Sequence, residues 1–482
     1  MNRPITHLFA LFVVLFALLI GFTSRWTVFE AQGLKDNALN RRQLLEELMV
    51  DRGAIKAADG KLLAKSVPGQ GGTFRRIYPE GSLFSQVVGW SYPARGIPDT
   101  GTERQHRDTL LGQGDAVTET VDRLIGRKNV GASLETNLDP AAQQAAMDGL
   151  AGRAGSVVAL DPRTGAVLAM ASSPSFDPAN LATAQSDPTA PLLNRATQGR
   201  YPPGSTFKVV TAVAAIDSGK YTPNSIVDGS SPQTFSGVPL NNDDKVSYGP
   251  TDLTNALTNS VNTVFANVAA DVGRVTIERY MRRFGFDRKP ELDFPSNQMV
   301  ASGAVVGGNV VSPRDNRIDI ARLGIGQDKL EVTPLQMAEV ASAVANHGVL
   351  MKPRIGNRVI DADGRLQRTI APEEQSRVMS RKTAAQVNLM MQQVVQEGTG
   401  TAAALTGIQV AGKTGTAQRV IAAGITQPWF IGFAPANAPR VVVAVTIERS
   451  LGGFGGTVAA PIAKQVMEAV LRTGSSGSVA RQ

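Results

Sequence analysis

The sequence predicts an α+β fold: a central antiparallel sheet flanked by helices, preceded by a small mixed domain and a membrane anchor. Two apolar, β-branched runs at 155–171 flank the turn sequence DPRTG, which is typical of a hairpin. Three more strand-like runs occur in IQVAGKTGTAQ, WFIGFAP and RVVVAVTIE, and helical stretches at 254–270 and 335–346 separate them from the hairpin. We expect one sheet with the hairpin at its edge and the late strands at its centre, closed by a helix at 461–471.

The first element is an uncharged apolar run at 8–22, which Thr23 and Ser24 extend as far as Arg25. At 1.5 Å per residue this run nearly spans a bilayer core of ~30 Å, so we predict an uncleaved anchor in residues 1–25, including a short stub. A cleaved signal peptide is the alternative, because the small-x-small triplet AQG follows at 31–33. Basic residues stand on both sides of the run, and charge alone leaves its orientation open.

Composition excludes several kinds of chemistry. The chain has no cysteine, which rules out thiol catalysis, disulfides and thiolate metal sites. It has three histidines; His7 lies in the apolar run and His347 in a turn context, so a histidine triad is not predicted. We expect no metal and no cofactor.

The formal net charge of +8 suits work beside anionic lipids or wall polymers. Nucleic acid is the other partner typical of basic proteins. It is not predicted here, because the chain shows no cluster of Lys and Arg with interleaved aromatics.

A serine and a lysine stand three residues apart in the stretch YPPGSTFKVV, at Ser205 and Lys208. The two prolines and the glycine suit a turn, and Ser205 then opens a helix whose i and i+3 side chains share one face. This spacing indicates a serine nucleophile with a lysine base. Taken alone, however, the spacing favours a capping serine followed by a surface lysine.

Two further motifs follow in the order that decides between these interpretations. Ser260 and Asn262 form an SxN motif in a helical context, and KTGT begins at Lys413 in a predicted strand. SxxK, SxN and KTG in this order are the signature of penicillin-binding proteins and serine β-lactamases. The predicted site residues are Ser205, Lys208, Ser260, Asn262, Lys413, Thr414, Gly415 and Thr416.

The wider chain resembles the class B penicillin-binding proteins, the monofunctional peptidoglycan transpeptidases, from Asp51 to about Leu471. The resemblance is carried by DRGAIKAADGKLLA, GTERQHRDTLLG, TNLDPAAQQAA, NRATQGRYPPGSTFK, GIGQDKLEVTPLQMA and AGKTGTAQ. The family pattern usually has Asp-Arg-Asn-Gly where this chain has AADG at 57–60. The resemblance implies a pedestal domain at 26–150, a transpeptidase domain at 151–474 and a flexible tail at 475–482. It also implies a catalytic domain on the outer side of the cytoplasmic membrane.

Family precedent and chemistry together assign roles to the motif residues. Ser205 attacks the D-Ala-D-Ala amide of a stem peptide and becomes an acyl-enzyme, which an amine of a second stem resolves. Lys208 takes the serine proton, with its pKa lowered by burial and by the Lys413 cation. Ser260 carries the proton to the departing D-alanine, and Asn262 holds the lysine amine and the substrate amide.

The KTGT strand is assigned to substrate binding. Lys413, Thr414 and Thr416 bind the terminal carboxylate, while the strand backbone aligns the peptide. The backbone N–H groups of Ser205 and Thr416 form the oxyanion hole. β-Lactams are expected to inhibit the enzyme by acylating the same serine. The enzyme is expected to act in bacterial cell-wall synthesis during growth or division.

Other functions with the same motifs are a carboxypeptidase or a β-lactamase, in which water takes the acyl group, and a β-lactam sensor. The sensor and a bifunctional glycosyltransferase are disfavoured, because neither extra domain is evident in the sequence. The stretch RKPELDF at 288–294 partly matches the deacylating loop of class A β-lactamases, with Lys289 at the position of its catalytic glutamate. We favour an accidental likeness and expect Lys289 to be a surface residue. The resemblance implies a SEDS-type membrane glycosyltransferase as the polymerase partner.

Overall fold

The computed structural model describes residues 3–25, 41–113, 130–420 and 424–479. Its first helix, Arg3–Ser24, has 22 residues and no buried side chain. At 1.5 Å per residue it is about 33 Å long, enough to cross a bilayer core. The predicted apolar run is thus a continuous helix with an exposed apolar surface. The triplet at 31–33 lies outside the described residues.

The pedestal is built around a six-stranded sheet. Ile55–Lys56 pairs in parallel with Ser133–Thr136 and antiparallel with the next strand along the chain. In spatial order the strands are Leu366–Thr369, Gly356–Ile360, Ser133–Thr136, Ile55–Lys56, Leu62–Pro68 and Phe74–Ile77. Two of the six therefore come from a part of the chain that the sequence analysis assigned to the transpeptidase domain. The short helices of this part of the chain are Arg41–Leu48, Ser85–Val88, Gly101–Gln105 and Arg107–Leu110.

A buried ion cluster joins the first two resemblance motifs. Arg52 Nε donates to Glu103 Oε2 at 2.9 Å, and Arg76 Nε donates to Glu103 Oε1 at 2.6 Å. The carboxylate is buried, yet its pKa is lowered: burial alone would raise it, and the two guanidinium groups outweigh that effect. These ion pairs connect Arg52, near the start of the pedestal, to Glu103 in the helix Gly101–Gln105.

The central sheet of the second domain is antiparallel throughout and confirms the prediction. Its strands run in the order Ala411–Val420, Ile425–Ala434, Val441–Ile447, Gly155–Leu160 and Val167–Ser173, and Ser450–Leu451 pairs with the second of these. The hairpin forms one edge, and two late strands lie at the centre. The strand that carries KTGT is the other edge.

Alternating residues of the central strands pack into two separate cores, because side chains of a strand point to opposite faces. Val157, Val443 and Val445 pack against the helices Pro140–Leu150 and Ala460–Val479. Side chains of the opposite face, such as Val158 and Ala444, join the large core that contains the helix Pro334–Ala345. The closing helix extends to Val479, so it includes residues 475–479, which the sequence analysis placed in a flexible tail.

The predicted helix at 254–270 is interrupted, which corrects the sequence analysis. Leu253–Thr258 and Asn262–Val272 are separate helices, and Ser260 lies between them with φ +58°. The other helices of the domain are Leu181–Ser186, Lys208–Asp217, Arg274–Arg283, Ile320–Leu323 and Arg381–Gln396. The remaining strands are Ile226–Asp228, Gln233–Phe235, Val238–Leu240, Pro250–Asp252, Gly303–Val306, Asn309–Val311, Leu330–Glu331, Val349–Met351 and Glu374–Arg377.

Candidate active site

The YPPGSTFK segment forms a tight turn that begins the helix of Lys208. Gly204–Phe207 is a short 3₁₀ turn, and the α-helix Lys208–Asp217 follows directly. Gly204 N donates to Gly326 O at 2.9 Å, and a Cβ on Gly326 would lie 1.9 Å from Gly204 O. Since Gly326 also has φ +77°, only glycine fits this contact. The backbone of Gly326 thus holds the turn in place.

Lys208 is fully buried, and its amine is held by the SxN motif. Its Nζ donates to Ser260 O at 2.6 Å, to Asn262 Oδ1 at 2.7 Å and to Ser260 Oγ at 3.2 Å. Ser205 stands one helical turn away and is half-exposed. The hydrogen bonds of the amine therefore go to the SxN pair.

Ser260 occupies a left-handed backbone conformation that a non-glycine residue adopts only at a cost. The surrounding backbone holds it there: Ser260 N donates to Leu257 O at 3.2 Å and Val261 N to Ala256 O at 2.8 Å. This turn aims both the carbonyl and the hydroxyl of Ser260 at Lys208. Strain of this kind concentrates at functional sites, where it serves to position a group.

Lys413 reaches the same hydroxyl from the edge strand. Its buried Nζ donates to Ser260 Oγ at 3.0 Å and to Thr414 O at 2.9 Å. The two lysines thus meet at one serine oxygen. A Cβ on Gly415 would lie 2.8 Å from Pro203 O, so the edge strand passes directly beside the Ser205 turn.

The threonines of KTGT are each supported by a residue that the sequence analysis missed. Thr414 and Thr399 share a hydrogen bond of 2.6 Å between their hydroxyls, and Gly455 N donates to Thr416 Oγ1 at 3.2 Å. The Thr416 hydroxyl keeps its own proton to donate to a ligand. No local signal in the sequence singles out Thr399, because its role comes from a contact fifteen positions away.

The surroundings of the two amines lower the pKa of each lysine. Burial, and then the charge of Lys413, lower the pKa of Lys208 well below its usual range. Burial lowers the pKa of Lys413 to about 7. Asp243, an exposed residue, raises both pKa values. Both amines therefore lose their extra proton more readily than an exposed lysine does.

Asp243 was not among the predicted site residues. Its loop is fixed beside the SxN motif, since Asn262 Nδ2 donates to Asn241 O at 3.0 Å. The buried Asn242 accepts from Thr263 N at 3.0 Å and donates to Gly229 O at 3.0 Å. The sequence does not indicate that Asp243 lies near the two lysines, because acidic residues are common in polar loops.

The stretch at 288–294 lies apart from this geometry. Lys289 is exposed, and its Nζ donates to Ser296 O at 2.7 Å. Glu291 pairs with Lys352 at 3.4 Å and with Arg288 at 3.5 Å. Lys289 is therefore a surface residue, as expected. Within the described part of the chain, no group of three His, Asp or Glu side chains is arranged to hold a metal ion.

Comparison with known proteins agrees with this site. Residues 155–468 match the model of the penicillin-binding protein transpeptidase domain, and residues 52–134 match that of the penicillin-binding protein A dimerisation domain. The chain belongs to the penicillin-binding transpeptidase family. The predicted resemblance is thereby confirmed.

Members of this penicillin-binding family resemble the chain along nearly all of its length. Peptidoglycan D,D-transpeptidase PbpA of Mycolicibacterium smegmatis is 35% identical over 519 residues, covering 98% of this chain and 100% of the relative. The structure of penicillin-binding protein A from M. tuberculosis as a ceftriaxone acyl-enzyme complex matches with a TM-score of 0.80 and 31% identity, covering 89% of this chain and 100% of that one. The D,D-transpeptidase domain of a peptidoglycan glycosyltransferase from Eggerthella lenta matches with a TM-score of 0.77 and 32% identity, covering 89% and 100%.

Proposed function

We propose that this chain is a serine D,D-transpeptidase that cross-links peptidoglycan stem peptides through an acyl-enzyme on Ser205, and that β-lactams inhibit it by acylating the same serine. The observation that carries the proposal is the buried chain of contacts from Lys208 through Ser260 Oγ to Lys413. Relatives named as D,D-transpeptidases and a β-lactam acyl-enzyme among the matching structures support it.

The proposed base is the neutral amine of Lys208. Such an amine has two hydrogens and one lone pair. Its two shortest hydrogen bonds go to Ser260 O and Asn262 Oδ1, which only accept, so both hydrogens are occupied. The lone pair then remains to take the proton of the Ser205 hydroxyl as Oγ attacks the substrate carbonyl.

Proton transfer to the leaving group is assigned to Ser260. Its Oγ lies 3.2 Å from Lys208 Nζ and accepts a hydrogen bond from Lys413 Nζ at 3.0 Å. The proton that Lys208 takes from Ser205 passes through Ser260 to the nitrogen of the departing D-alanine. In the second half of the reaction, an acceptor amine attacks the ester, loses its proton along the same route, and the Ser205 hydroxyl is restored.

Substrate binding is assigned to the edge strand. The Lys413 cation and the hydroxyls of Thr414 and Thr416 are proposed to hold the terminal carboxylate, by charge-assisted hydrogen bonds. An extended stem peptide can add to the open edge of this strand by backbone pairing. Because Gly415 lies against the Ser205 turn, the N–H groups of Ser205 and Thr416 are suited to form an oxyanion hole, worth about 3 kcal/mol per donor.

We further propose that residues 1–25 are a single-pass anchor, with the pedestal at 26–150 and the transpeptidase domain at 151–474 on the outer side of the cytoplasmic membrane. The matched family ranges, 155–468 and 52–134, fall within these domains. The polymerase partner is proposed to be a SEDS-type glycosyltransferase that contacts the anchor and pedestal. Pull-down of the intact membrane protein and identification of the co-purifying polymerase tests that partner.

The orientation has a direct test, because the chain has no cysteine. A single Asp363→Cys reporter, at an exposed position, should react with a membrane-impermeant maleimide in intact cells. A reporter that reacts only after lysis would place the domain in the cytoplasm.

The transpeptidase is distinguished from a hydrolase by the fate of the acyl group. Full-length protein in liposomes, supplied with polymerised uncross-linked glycan, should produce cross-linked dimers and free D-alanine in equal amounts. Ser205→Ala should produce neither. Release of D-alanine with no dimer would identify a carboxypeptidase instead.

A further inference from the structure

Glu448 lies where the central sheet meets the segment that leads to the nucleophile. It follows the strand Val441–Ile447, and its backbone N–H donates to Ala154 O at 2.8 Å. A single carboxylate oxygen, Oε1, accepts from Tyr201 OH at 2.5 Å and from Arg195 Nε at 3.0 Å. One side chain at the end of a central strand thus binds two points of the segment NRATQGRYPPGSTFK.

Arg195 is one of those points and is 4% exposed. Its remaining guanidinium nitrogens donate to Ala190 O at 3.1 Å and Thr189 O at 2.9 Å, which are both neutral. Within the described ranges, Glu448 is its ion-pair partner. A buried guanidinium without a counter-charge is costly, so this pair holds the start of the segment.

Tyr201 is the second point, four residues before Ser205. Its backbone exchanges hydrogen bonds with Val332 at 2.8 and 2.9 Å, and its ring packs edge-on against Trp429 at 6.3 Å. Trp429 Nε1 in turn donates to Pro202 O at 3.0 Å. The residues just before the nucleophile are therefore held between the central sheet on one side and Val332 on the other.

We propose that Glu448 is a positioning residue for Ser205. It acts through Tyr201 and Arg195, fixing two points of the segment to the sheet whose edge strand carries KTGT. Acyl transfer requires the reacting atoms to be aligned at about 3 Å, and a misplacement of about 1 Å lowers the rate by about 100-fold. The inference rests on the proposed role of Ser205 as nucleophile.

The test measures how fast a fluorescent penicillin acylates the full chain. Stopped-flow experiments separate the rate constant of the chemical step, k2, from the dissociation constant of the non-covalent complex, Kd. Glu448→Ala should lower k2 by about 100-fold and leave Kd nearly unchanged. Tyr201→Phe, which removes one hydroxyl, should lower k2 by roughly tenfold. Thermal melts confirm that each variant is folded at the assay temperature.

Glu135→Gln is the matched control. Glu135 forms an ion pair of 2.8 Å with Arg358 on the pedestal sheet, and its side-chain exposure of 24% is close to the 19% of Glu448. Its k2 should equal that of wild type. A wild-type k2 in folded Glu448→Ala would overturn the proposal, as would an equal loss in the control. If Glu448→Ala does not fold, a wild-type k2 in Tyr201→Phe overturns it.

Two variants distinguish the nucleophile assignment of Ser205 from the positioning role of Glu448. If Ser205→Ala is still labelled, the nucleophile assignment is wrong. If Ser205→Ala is unlabelled and Glu448→Ala reacts like wild type, only the positioning role is wrong.

Discussion

Lys208 and Lys413 both contact one oxygen atom: their amines lie 3.2 and 3.0 Å from Ser260 Oγ. Two buried ammonium groups so close together cannot both stay charged without a large cost. Burial lowers the pKa of both amines, and the charge of Lys413 lowers that of Lys208 further. In the proposed mechanism, the reactive form of the site has a neutral Lys208 and a charged Lys413.

Removal of Lys413 tests this arrangement. Acylation rises with pH as Lys208 loses its proton, and Lys413→Ala should raise the pKa of Lys208 and move that rising limb to higher pH. The lost carboxylate contact should also slow acylation, on the order of 100-fold. The measurement is the pH profile of penicillin acylation. Weaker binding with an unmoved limb would leave Lys413 as a carboxylate ligand only.

Asp243 should move the profile in the opposite direction. Its charge raises the pKa of both lysines, so Asp243→Asn should lower both values and shift the whole profile to lower pH. Asp244→Asn, one residue along the same exposed loop, is the matched control and should leave the profile in place. Equal shifts in the two variants would show a general effect of loop charge rather than a specific one.

Gly326 should be intolerant of any side chain. Gly326→Ala places a Cβ 1.9 Å from Gly204 O and forces alanine into a backbone conformation with φ +77°. We therefore expect the free energy of unfolding to fall by about 3 kcal/mol and acylation to become slower. Gly364→Ala provides the control, since Gly364 has φ +81° and no atom within 4 Å of its Cβ position. Its cost should be about 1 kcal/mol, with acylation unchanged. Similar losses in both variants would contradict a specific role for the contact with Gly204.

A penicillin acyl-enzyme should persist for many minutes. The one stretch of the sequence that resembles a deacylating loop has Lys289 at the position of the glutamate, and Lys289 is an exposed residue bonded to Ser296 O, so that stretch provides no carboxylate to activate water. Intact-protein mass spectrometry over an hour after removal of the drug follows the adduct. Return to the unmodified mass within seconds would favour a hydrolase.

The sequence predicted the central sheet well, because the sheet rests on local signals, while the roles of the site residues stay a prediction. The hairpin around 161–165 and the apolar late strands are short-range patterns, and the three motifs are recognisable by their order. The structure brings the lysines, serine and asparagine of those motifs into direct contact.

The features that the sequence did not predict depend on contacts between distant parts of the chain. The helix break at Ser260 occurs in a segment with no glycine or proline, since tertiary contacts impose the left-handed turn. Gly356–Ile360 joins the pedestal sheet by pairing with Ser133–Thr136, more than two hundred residues earlier. Asp243 affects the lysines only because Asn262 fixes its loop.

The most direct test of the account is to locate the acyl group. Trypsin should release residues 201–208 as YPPGSTFK, since Arg200 and Lys208 bound them. After brief exposure to penicillin, peptide mass spectrometry should find the adduct on Ser205 of this peptide. Ser205→Ala should carry no adduct, and Lys208→Arg should react far more slowly, because arginine does not act as a base near neutral pH. An adduct on any other peptide, or undiminished labelling of folded Ser205→Ala, would contradict the central claim.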